Sequence, residues 1–348
     1  MNKNTITGFI LMAAVLFGYS WYVQPSEEEI AAQRKQDSIE NALREKAEIA
    51  QKNELKAKKQ QAVAAAQGDT TALFYKALNG KNEQLTLKNS KLQLTVNTHG
   101  GYVSGAKVMG FKDIKGDNNI TLFAGNEQKL NFMLAGKQTN IVTADLFFTP
   151  SNHTDSTLTL TAEAANGGQL VINYHLGENY LVNMQMQTKG LDGIFAPNYR
   201  QVDIEWEGLC RQQEKGFTFE NRYATLTYKE KNDDSDYLSE TEKVIDEPME
   251  NAIDWLAFKD QFFSSVLIPK GDIAPNALLS SIPQEKGSGY LKQYLAKFKT
   301  DFDPTGAVPT EMEMYFGPND FQVLKAVDDE CSFDKDLDMQ QLVYLGWP

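Results

Sequence analysis

Uncharged, mostly apolar residues fill positions 6–23, and from 26 to 59 the chain turns abruptly to Glu, Lys, Arg, Gln and Ala. At about 1.5 Å of rise per residue, a helix of that length just reaches across the ~30 Å hydrocarbon core of a bilayer. The pattern predicts a membrane-spanning segment, with Trp21 and Tyr22 in the headgroup layer and only Lys3 and the amino terminus positive ahead of it. The first flank beyond it is acidic (Glu27, Glu28, Glu29), so the amino terminus is placed in the cytoplasm and the remainder is exported, although Arg34 and Lys35 weaken the asymmetry. A cleaved signal peptide is the competing reading, with Gly18 and Ser20 as small residues near its end. The length of the run and its nearly absent basic flank favour a retained anchor.

Between 26 and 66 the apolar stripe is thin, with Ile39, Leu43, Ala47 and Ala50 at helical spacing. Ser26 can cap the first turn and the three glutamates suit the positive end of the helix dipole. A stripe so rich in alanine gives at best a weak coiled coil, so a solvated stalk or partly disordered tether is expected. Gln67, Gly68, Asp69 and Thr70 end it.

Beyond Leu73 the period changes to two. Leu92, Leu94 and Val96 alternate with polar neighbours, as do Leu158, Leu160 and Ala162. Leu170, Ile172, Tyr174 and Leu176 are followed after a turn by Tyr180, Val182, Met184 and Met186, which reads as a hairpin. Further strands are expected at 201–207, 222–228, 252–258, 262–268, 290–298 and 311–316. More than ten strands separated by turn signals predict a mainly β, antiparallel sandwich. Near the end, Pro318 is placed in the first turn of a helix carrying Phe321, Leu324 and Val327, and a second short helix is expected over 335–345.

The chain has 348 residues and a net charge of −13. Residues 1–66 contribute +1, which leaves 25 basic against 39 acidic residues in the rest. An acidic chain of this kind offers no patch to displace phosphate counterions, so nucleic acid is not expected as a partner. Cys210 and Cys331 stand far apart; an exported domain permits a disulfide, and buried free thiols are the alternative.

Reactive chemistry finds little support. His99, His153 and His175 lack the spacing of a metal site, and His175 is out of phase with the apolar face of its strand, so it is expected at the surface. His99 precedes a Gly100, Gly101 turn. Asp334, Asp336 and Asp338 mimic the start of a calcium loop, but Met339 stands where that loop needs glycine. Asp301, Asp303, Thr305 and Gly306 suit a side-chain-stabilised turn around Pro304. No catalytic, cofactor-binding or metal-ligating residue is assigned, no cofactor is expected, and no enzymatic activity is predicted.

Several segments carry a resemblance. WLAFKDQFF at 255–263, YFGP at 315–318, LGWP at 345–348 and the opening MNKN are similar, in order and spacing, to the amino-terminal portion of the YidC/Oxa/Alb family of membrane insertases in its Bacteroidetes form. The resemblance covers the whole chain. It implies an anchor at 1–24, a charged tether at 25–71, a periplasmic β-supersandwich similar to galactose mutarotases at 72–317, and a helical linker at 318–348 leading to a membrane core not included here. It further implies the bacterial inner membrane as location, residues 6–23 in the bilayer and those after about 24 in the periplasm. The implied role is positioning and docking in an insertase that integrates and folds inner-membrane proteins, alone and with the Sec translocon. Translocon accessory proteins of the SecDF type, and nascent inner-membrane proteins reaching the membrane core, are the implied partners. A membrane-anchored carbohydrate-binding or carbohydrate-active sandwich is the alternative, and His175, standing alone, speaks against catalysis.

Overall fold

The computed structural model describes residues 67–343 apart from 114, 115, 117 and 118, together with 12, 57 and 58. The expected anchor and nearly all of the tether lie outside the described residues, as does LGWP. Among the described residues no helix is long and apolar enough to cross a membrane. The chain divides into Met1–Ala65 and Ala66–Pro348, and the second unit holds the fold described here.

Asp69 marks the end of the tether pattern, its carboxylate accepting from the Thr71 N–H at 2.9 Å, and a short helix, α1 (Tyr75–Leu78), follows. In chain order the strands are β1 (Gln84–Lys88), β2 (Leu92–Asn97), β3 (Val103–Met109), β4 (Asn119–Phe123), β5 (Gln128–Leu134), β6 (Ile141–Val142), β7 (Thr149–Ser151), β8 (Thr157–Glu163), β9 (Gln169–Leu176), β10 (Leu181–Lys189) and β11 (Gln201–Arg211). After helix α2 (Phe217–Tyr223) come β12 (Thr225–Glu230), β13 (Ser235–Tyr237), β14 (Val244–Met249), β15 (Ile253–Lys259), β16 (Phe263–Pro269), β17 (Ala277–Pro283), β18 (Tyr290–Asp301) and β19 (Thr310–Pro318), then α3 (Phe321–Glu330). They form a four-stranded sheet β1-β2-β3-β4, a nine-stranded sheet β13-β12-β15-β16-β19-β10-β9-β8-β7 and a six-stranded sheet β14-β17-β18-β11-β5-β6, all antiparallel.

The mainly β, antiparallel expectation holds. Leu158, Leu160 and Ala162 on β8 and Leu170, Ile172, Tyr174 and Leu176 on β9 are buried. β9 and β10 pair as the expected hairpin, Val182 opposite Leu176. The nine- and six-stranded sheets close on each other where Trp206 of β11 stacks on Phe258 of β15 at 3.7 Å between ring centroids, and the four-stranded sheet joins where Phe123 meets Phe316 at 5.5 Å. Leu87, Leu94, Val182, Leu267 and Phe316 share this one apolar core.

Three expectations are corrected. Residues 217–223 are helical and the strand expected from 222 starts at Thr225. The helix turns Glu220 inward, where its carboxylate accepts the N–H groups of Gln213 at 2.8 Å and Glu214 at 3.0 Å. Pro318 ends β19 instead of starting α3; the helix needs an acceptor for its free N–H groups, and Asp320 supplies it to Gln322 at 2.9 Å and Val323 at 3.0 Å. Over 335–343 the second helix shrinks to a single 3-10 turn, Met339–Leu342, behind Asp338 in the left-handed region at φ 48°. The rest of that segment is a strap whose backbone carbonyls are taken by side chains of the nine-stranded sheet.

Candidate functional site

β15, β16 and β19 are neighbours in the nine-stranded sheet, so the two resembling segments, 255–263 and 315–318, meet in space. Every residue of β15 and β16 is buried. Their alternate residues face opposite ways: Leu256, Phe258 and Leu267 enter the core between sheets, whereas Trp255, Ala257, Val266 and Ile268 form a second cluster with Leu324, Val327, Phe333, Leu337, Met339 and Leu342. The carboxyl-terminal segment therefore roofs the outer face of this sheet.

Its fastenings are polar, and those of Trp255 and Lys259 are buried. Trp255 Nε1 donates to the Leu337 carbonyl at 2.7 Å and Lys259 Nζ to the Leu342 carbonyl at 3.0 Å. Burial lowers the pKa of Lys259, partly offset by the charges of Asp260 and Glu240. Lys335 lies against Asp254 at 3.5 Å and donates to the Gly271 carbonyl at 2.9 Å; Asp254 also meets Lys229 at 3.6 Å. Ser332 donates to Glu313 of β19 at 2.5 Å. At the end of β19 the Tyr315 hydroxyl donates to the Pro318 carbonyl at 2.6 Å, and burial raises its pKa. Gly317 is required there, since a Cβ would stand 2.6 Å from the Tyr315 ring.

At the close of β15, on the core side of the sheet, lies a cluster of buried ionisable groups. The Asp260 carboxylate closes the turn between β15 and β16 by accepting from Phe262 N at 2.7 Å and Phe263 N at 2.6 Å. Burial pushes its pKa up to about 7; the two N–H bonds oppose this, the charge of Glu220 adds to it and Lys259 subtracts. Burial also raises Glu220 and the Cys210 thiol. A cavity of about 30 Å³ lined by Cys210, Asp260, Ser264 and Tyr294 sits here, space for a water or two.

The Asp260 shift sets a pH dependence. Between its unfolded value near 3.8 and about 7 the folded chain binds this proton more tightly than the unfolded chain, so the stability it contributes is full below pH 4 and is lost as pH rises through 7. In Asp260→Asn, whose side-chain oxygen still accepts both N–H groups, the difference from wild type is expected to change by up to about 1.4 kcal/mol per pH unit in this window. Urea unfolding at pH 4–8 checks it; parallel profiles for the two proteins would refute it.

The other singled-out residues do not converge here. His175 on β9 is exposed and pairs in register with Thr157 and Asn183. His153 bonds the Thr86 carbonyl at 2.9 Å, and His99 stacks on Phe147 at 4.1 Å, burial lowering its pKa. Gly100 and Gly101 take φ of 86° and 69°, as a glycine turn requires. Asp303 accepts from Thr305 N at 3.0 Å and Val308 N at 2.9 Å, giving the expected turn. Both cysteines are free, and burial pushes Cys331 up to about 12, so neither thiol is a ready nucleophile. Among the described residues no group of three His, Cys, Asp or Glu could hold a metal ion. The arrangement is built to bind and hold a segment. Sequence reasoning missed Asp254, Glu313 and Lys335, the charged fastenings; a charge within an otherwise apolar strand, as at Asp254, was the available signal.

A family model described as YidC periplasmic domain matches residues 84–348. Among curated proteins, a membrane protein insertase YidC from Phocaeicola vulgatus is 44% identical over 100% of this chain and 55% of its own length, and one from Bacteroides fragilis is 39% identical over 100% and 56%. The chain thus spans about half the length of the curated relatives it matches. Among solved structures, a galactose mutarotase-like protein from Lactobacillus casei aligns with 68% of this chain and 100% of its own at 13% identity, with a TM-score of 0.42.

Proposed function

The chain belongs to the YidC membrane protein insertase family, and from that premise we propose that it is the anchoring, positioning and docking portion of an insertase whose membrane core lies outside these residues. In this reading residues 6–23 sit in the bacterial inner membrane with the amino terminus in the cytoplasm, and the chain after about 24 is periplasmic. Its sheets offer a docking surface to the Sec translocon and to SecDF-type accessory proteins, while nascent inner-membrane proteins engage the core. The work is non-covalent throughout.

The observation that carries the proposal is the strap over 331–343. Trp255 and Lys259 hold its backbone carbonyls to the sheet, and its own Lys335 side chain pairs with Asp254 of β15. Whatever follows the strap inherits the orientation of the β-domain.

Replacing 331–343 by a Gly-Ser linker of equal length in the full-length insertase is expected to leave the protein in the membrane and able to bind purified translocon, yet to reduce substrate insertion several-fold. Undiminished insertion would end the positioning role. Failure of the unaltered protein to bind purified translocon or accessory proteins would end the docking role.

A further inference from the structure

The exposed phenylalanines among the described residues, Phe111, Phe219, Phe262 and Phe321, are 36–59% exposed and come from four separate stretches. The topology gathers them at one end of the sheets. Phe111 follows β3 and meets Phe263, the first residue of β16, edge-on at 5.3 Å. Phe262 lies in the turn between β15 and β16, and its carbonyl accepts from Asn319 N at 2.6 Å, two residues before Phe321. Phe219 is on α2, which follows the end of β11; the neighbouring Glu220 acts electrostatically on Asp260 in that same turn. Of the other large exposed apolar residues, Met133 closes β5 and Val308 lies between β18 and β19, both at the opposite end, while Tyr237 and Ile245 stand on the edge strands β13 and β14.

Charge separates this end from the rest. Beside these phenylalanines Lys112, Lys215 and Arg222 balance Asp113, Glu214 and Asp320, and the turns at 240–243 and 284–289 of the same end add three acidic and two basic residues, whereas the chain beyond residue 66 holds 25 basic against 39 acidic residues. An anionic lipid surface repels an acidic domain least where the acidic excess is smallest. The chain also leaves the domain here, because the Leu342 carbonyl is held by Lys259 at the close of β15, and Val343 comes next.

We propose that this end is a membrane-contact surface, with Phe111, Phe219 and Phe262 seated in the phospholipid headgroup layer and Phe321 at the rim. Isolated exposed phenylalanines need no explanation, but four from separate stretches at one end form the kind of patch that marks an interface. Aromatic side chains favour the headgroup and acyl boundary, and a few of them set the tilt of a tethered domain without needing to anchor it. The inference rests on the reading above that the chain is held in the bilayer on either side of this domain.

The test uses the full chain in vesicles of phosphatidylethanolamine and phosphatidylglycerol carrying nitroxide-headgroup lipids. In a background with Cys210→Ala and Cys331→Ser, an environment-sensitive fluorophore is attached at Phe219→Cys, Phe262→Cys or Val308→Cys. Quenching at 219 and 262 is expected to exceed that at 308 by at least threefold. Equal quenching at the two ends in vesicle-bound protein would overturn the membrane contact and leave the anchor standing, and concentration-dependent self-quenching in its place would assign the patch to a second copy. A chain that fails to float with the vesicles would overturn both readings. Hydrogen exchange on the unsubstituted chain gives the same decision without relying on variants: amides at 216–223 and 260–263 are expected to slow several-fold in the bilayer relative to micelles while those at 303–309 do not, and equal change at both ends would overturn the proposal.

Discussion

Trp255→Ala is expected to lower the unfolding free energy of the β-domain by about 3–5 kcal/mol, the range for removing a buried aromatic side chain from a packed site. Trp255 is 0% exposed, and it sits at the centre of the second apolar cluster, between the sheet and the strap. Truncation opens a cavity under Leu324 and Met339. It also leaves the Leu337 carbonyl without its 2.7 Å donor, and an unpaired buried acceptor costs on the order of 1–3 kcal/mol within that total. Trp255→Phe separates the two effects: it retains most of the apolar volume and is expected to lose about 1–2 kcal/mol, chiefly the hydrogen bond. Urea unfolding measures both. Limited proteolysis supplies the local readout, since cleavage within 331–343 should rise far more than cleavage in β8 or β9, whose burial does not involve the strap. A loss under 1 kcal/mol with unchanged cleavage would mean that the strap is held by something other than this ring.

The sheets were legible because their chemistry is local. A strand with one face in a core must alternate, and Leu158, Leu160 and Ala162 or Leu170, Ile172 and Tyr174 alternate plainly. The strap was not legible for the opposite reason. The apolar residues over 335–345 suggest a helix, but the Leu337 and Leu342 carbonyls are bonded by Trp255 and Lys259, roughly eighty residues earlier, and no local pattern records a partner at that distance. The same limit applies to α2: Phe217, Phe219 and Tyr223 suit a strand locally, and only the inward demand of Gln213 and Glu214 for the Glu220 carboxylate selects the helix. As for the candidate site, 255–263 and 315–318 could be singled out as segments. That they meet, and that the chain's own end lies over them, follows from the strand order β15-β16-β19 and from nothing nearer in the sequence.

Asp254→Ala is expected to cost about as much as the loss of Trp255, about 3–5 kcal/mol, because it removes one carboxylate from between two buried ammonium groups. Lys229 approaches from within the sheet at 3.6 Å and Lys335 from the strap at 3.5 Å, and their side chains are 4% and 8% exposed. Neither can turn to water without leaving the fold. Lys335 keeps the Gly271 carbonyl at 2.9 Å and a 3.5 Å contact with Asp272, a carboxylate that the hydrogen bond from Lys231 and the charges of Lys231 and Lys335 hold below its usual range against the opposing effect of burial. Among the described residues the ion pair of Lys229 is with Asp254 alone, so the uncompensated charge falls mainly on the sheet. Lys335→Met should therefore be milder, about 1–2 kcal/mol, since Asp254 retains Lys229 and the methionine still packs under the strap. Adding Lys335→Met to Asp254→Ala should recover part of the loss, a coupling of at least 1 kcal/mol in a double-mutant cycle. Salt provides the control: raising ionic strength should weaken the exposed pair Lys297 and Asp246 while leaving the Asp254 cycle nearly unchanged, because ions screen solvent-facing charges far more than buried ones. Additive single effects, or a coupling that vanishes in salt, would show that the strap is held by packing alone and that Asp254 is an incidental neighbour.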